Sequence, residues 1–142
     1  MQLYTLSKDG LFPYITLMNQ RLGRRLCTIC SESATLSTED VDMIETIMHF
    51  NQKQDRELSH KSFKIAVGCE ECINGYKGRV GAYEVLEVGE QRLDALAQNA
   101  ELDKLWSIAI DNGTETIGYN LLMKAANGET SLNEVRRVTE QF

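Results

Sequence analysis

GCEECINGYKGRVGAYEVLEV, residues 68–88, joins a Cys-x-x-Cys pair to a glycine-punctuated turn and then to a strand-like run. Gly75, Gly78 and Gly81 break the chain after Cys72, and from about Arg79 to Val88 the residues read as a strand. Just upstream, Phe63, Ile65 and Val67 alternate with Lys64 and Ala66, which predicts a strand leading into Cys69. A second pair, Cys27-x-x-Cys30, lies on the far side of residues 31–68. Each x-x spacing lets a tight knuckle aim two thiolates at one ion, and two knuckles complete the four-sulfur tetrahedral shell that zinc favours. Gly68 and Gly75 ease the sharp backbone path around the second knuckle. The spacer is longer than a compact zinc ribbon uses, and a helix inserted between the knuckles accounts for it. Cys27, Cys30, Cys69 and Cys72 are therefore the expected ligands of a structural Zn2+.

Other uses of four thiols fit less well. A thioredoxin-like redox motif needs one Cys-x-x-Cys at a strand-to-helix junction in a βαβ setting, and neither pair has that setting. Disulfides are disfavoured if the compartment is reducing. Catalytic zinc keeps an open position, which four cysteines close. Glu70 and Glu71, inside the second knuckle, read as exposed. His49 reads as packed or on the surface and His60 as surface, not as ligands. With no Ser-His-Asp set, carboxylate pair or phosphate loop apparent, no catalytic residue is assigned.

Working outward, residues 1–8 read as a short strand, and Pro13 suits the first turn of a helix. Ile15, Met18, Leu22 and Leu26 recur at helical spacing, with Arg21, Arg24 and Arg25 crowding the end, where cations suit the negative pole. Ser37 or Thr38 caps a helix with Val41, Ile44, Ile47 and Met48 inward, and NQKQDRELSHK follows as an exposed tail. After Gly89 the chain reads as all helix. Leu93, Leu96 and Ala97 face inward in one segment, and Leu102, Leu105, Trp106 and Ala109 in the next, which Asn112-Gly113 ends. Ile117, Leu121, Leu122 and Ala125 line a third, with Gly128 as its stop. Ser131 and Glu134 form a capping box for a last helix carrying Leu132, Val135 and Val138.

The expected fold is α+β and mostly helical: a four-cysteine zinc module with a small antiparallel β element, followed by a C-terminal helical bundle. Residues 1–26 form a strand and helix leading in, 27–88 the zinc module with its inserted helix, and 89–142 the helical subdomain. The chain has 142 residues, 42% of them hydrophobic and 25% charged, as in ordinary globular proteins. A net charge of −6 argues against a general nucleic-acid or anionic-membrane binder. No apolar run is long enough to span a bilayer, so no direct membrane insertion is expected. MQLYTLSKDG lacks the basic and apolar regions of a signal peptide, so a cytoplasmic setting is expected.

Four stretches together carry a resemblance: NQRLGRRLCTIC (19–30), the Gly-Cys-x-x-Cys at 68–72, NGYKGRVGAYEVLEV (74–88) and NGETSLNEVRRVT (127–139). They fall in the order seen in the C-terminal region of the type II secretion and type IV pilus assembly (traffic) ATPases. There an arginine-rich helix precedes the first Cys-x-x-Cys, a Gly-Tyr-x-Gly-Arg-x-Gly-x-Tyr-Glu run follows the second, and a G-x-T-S/T-x-x-E-V-x-R-V ending closes the chain. The resemblance runs from about Met18 to Thr139. It stops short of the ATPase core: no G-x-x-x-x-G-K-[ST] cradle for phosphates occurs in this sequence.

The resemblance implies a scaffolding role with no ATP hydrolysis by this chain itself. The region would pack beside the ATPase core, in a hexamer only in the context of a full ATPase, and the zinc module, an exposed elaboration, would meet inner-membrane platform proteins. That would place it in the cytoplasm, peripheral at the inner membrane through partners. Tyr76, Lys77, Arg79 and Tyr83 mix aromatic and basic character, as binding surfaces do; alternatively Tyr83 and Val85 form one core-facing side of a strand, the preferred reading for Tyr83, and Lys77 and Arg79 are simply solvated. Leu11, Phe12 and Ile15 are candidates for apolar surface where a motor domain would sit. The alternatives are a zinc-ribbon-like nucleic-acid-binding protein and a free-standing regulatory protein that mimics the ATPase's end.

Overall fold

Hydrogen bonds between distant segments, not local periodicity, decide the first element. The computed structural model describes residues 15–54, 58 and 61–140. Within them the order is β1 (Ile15–Leu26), β2 (Glu32–Ser33), α1 (Thr38–Phe50), β3 (Lys64–Ile65), β4 (Tyr76–Val88), α2 (Glu90–Ala97), α3 (Leu102–Asp111), α4 (Ile117–Ala126) and α5 (Leu132–Thr139). The stretch read as a helix through Leu22 and Leu26 is the long strand β1, paired with β4. Met18 is 68% exposed and Leu22 46%, so the supposed helical stripe is not a core face. The buried residues are Gly23 and Leu26. A side chain at 23 would stand 3.4 Å from Leu121 and 3.6 Å from Val80, so glycine lets β1 approach both closely. The strand and Pro13 expected before residue 15, with Leu11, Phe12 and the side chain of Ile15, lie outside the described residues, as does His60.

Helix starts are more legible because caps are local. Ser37 is the N-cap of α1: its hydroxyl accepts from the Asp40 N–H and Asp40 answers to the Ser37 N–H. Ile44 and Met48 are buried and Ile47 half-buried, while Val41 is exposed. Asn51, expected in an exposed tail, is buried. Its side chain donates to the Ile47 carbonyl (2.8 Å) and to the Thr116 hydroxyl (3.0 Å), and accepts from the Thr116 N–H (2.9 Å). This links the end of α1 to the start of α4.

The described residues fall into two compact units, one within 15–19 and 84–115, the other within 20–83 and 116–140. The second unit holds a core in which Ile44 and Met48 of α1, Phe63 and Ala82 meet Leu121, Leu122 and Ala125 of α4 and Leu132, Val135 and Val138 of α5. β2 and β3 pair antiparallel, Glu32 opposite Ile65 and Ser33 opposite Lys64, a small sheet leading toward the cysteines. Along β4, Val80, Ala82 and Val88 are buried, whereas Tyr83 and Val85 are each 44% exposed, so the preferred core reading of Tyr83 is overturned. Lys77 and Arg79 are exposed.

In the first unit α2 and α3 pack together. α2 forms where expected but is rotated: Ala95 and Arg92 are buried, and Leu93, Leu96 and Ala97 are exposed. In α3, Ala109 and Ile110 are buried, Leu105 and Trp106 half-buried, and Leu102 is 68% exposed. Gly113, at φ +86°, follows its C-cap Asn112.

Candidate metal centre

The two knuckles meet. The sulfurs of Cys27, Cys30, Cys69 and Cys72 all lie within 4.8 Å of one another, and none forms a disulfide. Cys27 Sγ stands 3.9 Å from Cys69 Sγ, Cys30 Sγ 3.7 Å from Cys72 Sγ, and Cys69 Sγ 3.6 Å from Cys72 Sγ. Four sulfurs at about 2.3 Å from one tetrahedral ion stand about 3.8 Å apart. The four-cysteine set can therefore hold a metal ion.

Local chemistry builds this arrangement. β1 delivers Cys27, which is buried, and the Cys27 N–H donates to the Gly75 carbonyl at 2.8 Å, tying the first knuckle to the turn behind the second. That turn is Asn74-Gly75, at φ +51° and +83°, flanked by reciprocal backbone bonds between Ile73 and Tyr76 (3.1 and 3.0 Å). Two positive φ angles in a two-residue hairpin are the signature of a type I′ turn, and Asn-Gly is its preferred pair. Gly68, at φ +120°, supplies the bend before Cys69. The Gly68 N–H donates to Cys30 Sγ and the Cys69 N–H to Cys72 Sγ, each at 3.3 Å, stabilising sulfur that carries negative charge.

Proton chemistry also distinguishes the thiols. The Ile29 backbone N–H pulls Cys27 down to about 7 against its burial. The Glu71 backbone N–H pulls on Cys69, but burial and the thiols of Cys72, Cys30 and Cys27 outweigh it and push Cys69 up to about 12. Burial also raises Cys30. Four neighbouring thiols cannot all ionise unless a cation gathers their charge. Glu70 and Glu71 are exposed, the latter 3.6 Å from exposed Lys77, and His49 is exposed at the end of α1, so none of them joins the sulfurs.

Gly75 is the turn's steric keystone. A Cβ there would fall 2.6 Å from the Ala66 Cβ and 2.9 Å from its backbone, on top of the unfavourable φ. Gly75→Ala is expected to lower unfolding free energy by about 2 kcal/mol or more and to weaken metal retention. Chemical denaturation and metal titration check both; unchanged values would show that the turn tolerates the shift.

A charged cluster beside the knuckles escaped the sequence reading. Glu134, fully buried in α5, accepts from the Arg24 N–H (2.8 Å), Arg24 Nε and Nη2 (2.9 and 2.6 Å), and Arg137 Nε and Nη2 (2.9 and 2.8 Å). Burial opposes its ionisation, yet these donors hold it at about 2. The Ser131 hydroxyl accepts from the Glu134 N–H as the capping box predicts, but the carboxylate goes to the arginines. Arg24 lies 4.1 Å from the centroid of the Tyr76 ring, and the Tyr76 and Ser131 hydroxyls are 2.7 Å apart. The Thr130 hydroxyl donates to the Arg24 carbonyl (2.7 Å), and the Leu26 N–H to the Glu129 carbonyl (2.9 Å). Arg24, read as crowding a helix end, instead fixes the strand that carries Cys27. The one sequence signal was Glu134 three residues before Arg137, inside an apolar stripe.

Comparison with known proteins places this geometry in context. The profile of the family described as "Type II/IV secretion system protein" matches residues 12–137. The chain is 33% identical to the type IV pilus assembly ATPase PilB of Pseudomonas aeruginosa over 87% of its own length and 21% of the relative's. It is 33% identical to the PilB of Acinetobacter baylyi, covering 86% of the chain and 20% of that protein. With a putative type II secretion system protein E of Escherichia coli it shares 28% identity over 86% of the chain and 23% of the relative. The chain thus spans about a fifth of the length of the curated relatives it matches.

Proposed function

The chain belongs to the type II/IV secretion system protein family, and on that premise we propose that it is a zinc-carrying, non-catalytic portion of a secretion or pilus assembly ATPase. It works through protein–protein contact. The carrying observation is the four-sulfur cluster with tetrahedral spacing, which fits zinc and leaves no open position for a substrate. Cys27, Cys30, Cys69 and Cys72 would hold the ion, which supplies rigidity when bound. The absence of a G-x-x-x-x-G-K-[ST] stretch from the sequence supports a non-catalytic role for this chain.

A clamped knuckle is a stiff surface feature that needs little core beneath it. Ile29 and Ile73, next to the ligands, are 67% and 81% exposed, and Lys77 and Arg79 lie nearby in sequence. Such a tip can pass motor movement to a partner. The partners in this reading are the secretion or pilus ATPase core and inner-membrane platform proteins, with hexamers forming only within a full ATPase. The setting is cytoplasmic, at the inner membrane through partners. No described helix is long and apolar enough to cross a membrane.

Elemental analysis of protein purified without added metal or chelator tests the reading. One zinc per chain is expected, lost when Cys27 or Cys69 becomes Ser. Well-folded protein with free thiols and no metal would overturn it. Capture of the purified ATPase core by the zinc-loaded chain, weakened when Ile73 becomes Asp, tests the contact role; equal capture by both would remove the tip from the interface.

A further inference from the structure

Three exposed aliphatic residues collar one edge of the four-sulfur centre. Ile29 immediately precedes Cys30, Ile73 immediately follows Cys72, and Val67 immediately precedes Gly68. The Cys30 and Cys72 sulfurs are 3.7 Å apart, and the Gly68 N–H donates to Cys30 Sγ at 3.3 Å, so the same few atoms gather all three. Cys30, Cys69 and Cys72 are themselves only partly buried. All of these residues belong to the unit within 20–83 and 116–140.

Charge decides what such a collar accepts. Segments 27–36 and 64–79 hold three acids, Glu32, Glu70 and Glu71, and three bases, Lys64, Lys77 and Arg79, whose formal charges cancel. Four thiolates around one dication then leave the loaded centre doubly negative. Glu70, set between two of the cysteines, is exposed and has no ion-pair partner among the described residues, whereas Glu71 has Lys77 at 3.6 Å. The stem of Lys64 runs along Gly128, 3.2 Å from where a side chain there would begin. The loaded tip is therefore apolar and negative.

We propose that this tip docks a cationic amphipathic segment of a partner protein. Its large apolar side chains cover Ile29, Val67 and Ile73, and its flanking Lys or Arg residues meet Glu70 and the partly exposed sulfurs. The inference rests on the zinc-bound contact role proposed above and adds the chemistry of the partner. Covering the exposed aliphatic residues removes apolar surface from water, which favours binding. Cations facing the negative centre supply register and speed of encounter. Cytoplasmic loops of integral membrane proteins carry an excess of Lys and Arg, so a loop of the inner-membrane platform is the source that fits. A nucleic acid or an anionic lipid surface meets the same negative charge and is repelled.

The probe is a fluorescently labelled amphipathic helical peptide of Leu and Lys, with a counterpart in which every Lys is Glu. On the full chain, its zinc content measured by elemental analysis, anisotropy should show saturable binding of the Lys peptide, about tenfold tighter than the Glu peptide and weakening as salt is added. Glu70→Lys should weaken the Lys peptide about tenfold. Glu101→Lys, the same charge change at an exposed position at the start of α3, should stay within about twofold. Ile73→Ser, also at an exposed position, should weaken it about fivefold. With zinc present, equal binding of the two peptides, equal effects of Glu70→Lys and Glu101→Lys, or no loss in Ile73→Ser would overturn this inference alone. Absence of zinc from the unaltered chain would overturn it together with the reading on which it rests. Retention of the chain by phosphatidylglycerol vesicles, abolished by Ile73→Ser, would overturn it in favour of a lipid surface.

Discussion

Starting from the proposed zinc-bound state, removal of the ion with a chelator is expected to unfold the knuckles while leaving the helical core of their unit in place. Backbone amides of Cys27, Gly68, Cys69 and Cys72 should exchange hydrogen at near-unfolded rates, while those of Leu121, Leu122 and Val135 stay protected. In structural sites of this kind metal binding energy is folding energy, on the order of 10 kcal/mol. A whole domain has a stability of only about 5–15 kcal/mol. Beyond the burial of Cys27 and its N–H bond to Gly75, the knuckles have little else to hold them. Ile29 and Ile73 face outward, and the β2–β3 sheet has two residues in each strand. Leu121, Leu122 and Val135, by contrast, are fully buried in a cluster that contains no cysteine. Four thiols forced together without a cation also face one another's partial charge, as the raised Cys69 reflects. Unchanged exchange at the knuckle amides, with zinc loss verified by elemental analysis, would show that the polypeptide alone holds the four sulfurs in place.

Glu134→Ala is expected to lower unfolding free energy by about 2–3 kcal/mol at pH 7: the carboxylate's hydrogen bonds are lost, while the two arginines left behind, 48% and 42% exposed, keep their hydration. Two arginines lose their shared partner, the Arg24 N–H loses its acceptor, and the strand carrying Cys27 loses its anchor on α5. The pH dependence has a definite sign. The folded-state pKa of Glu134 is about 2, against an ordinary value of 4.5. Its stabilisation is therefore fully present above about pH 4.5 and is lost as pH falls toward about 2. A shift of this size corresponds to roughly 3 kcal/mol. The gap in stability between the natural chain and Glu134→Ala should thus narrow as acid is added. Denaturant melts at several pH values measure it; a gap that stays constant down to pH 2 would mean that Glu134 acts through packing and not through charge.

The sequence alone determined the features whose physics is local. The Cys-x-x-Cys pairs, the glycine turn after Cys72, the Ser37 and Ser131 caps and the inward faces of α4 and α5 can all be read from neighbours a few residues apart. So could the family, because its motifs keep their order along the chain. Only the tertiary structure decided the rest. Residues 15–26 satisfy a helical spacing, yet pairing with β4 and the close approach that Gly23 allows make them a strand. α2 was placed correctly but rotated, because what Arg92 and Ala95 meet lies outside their own helix. Glu134 caps nothing with its carboxylate, because Arg24, 110 positions away, reaches it first. Local hydrogen-bond geometry is written in short spacings. Burial and charge pairing depend on which distant segments meet, and a one-dimensional pattern does not contain that information.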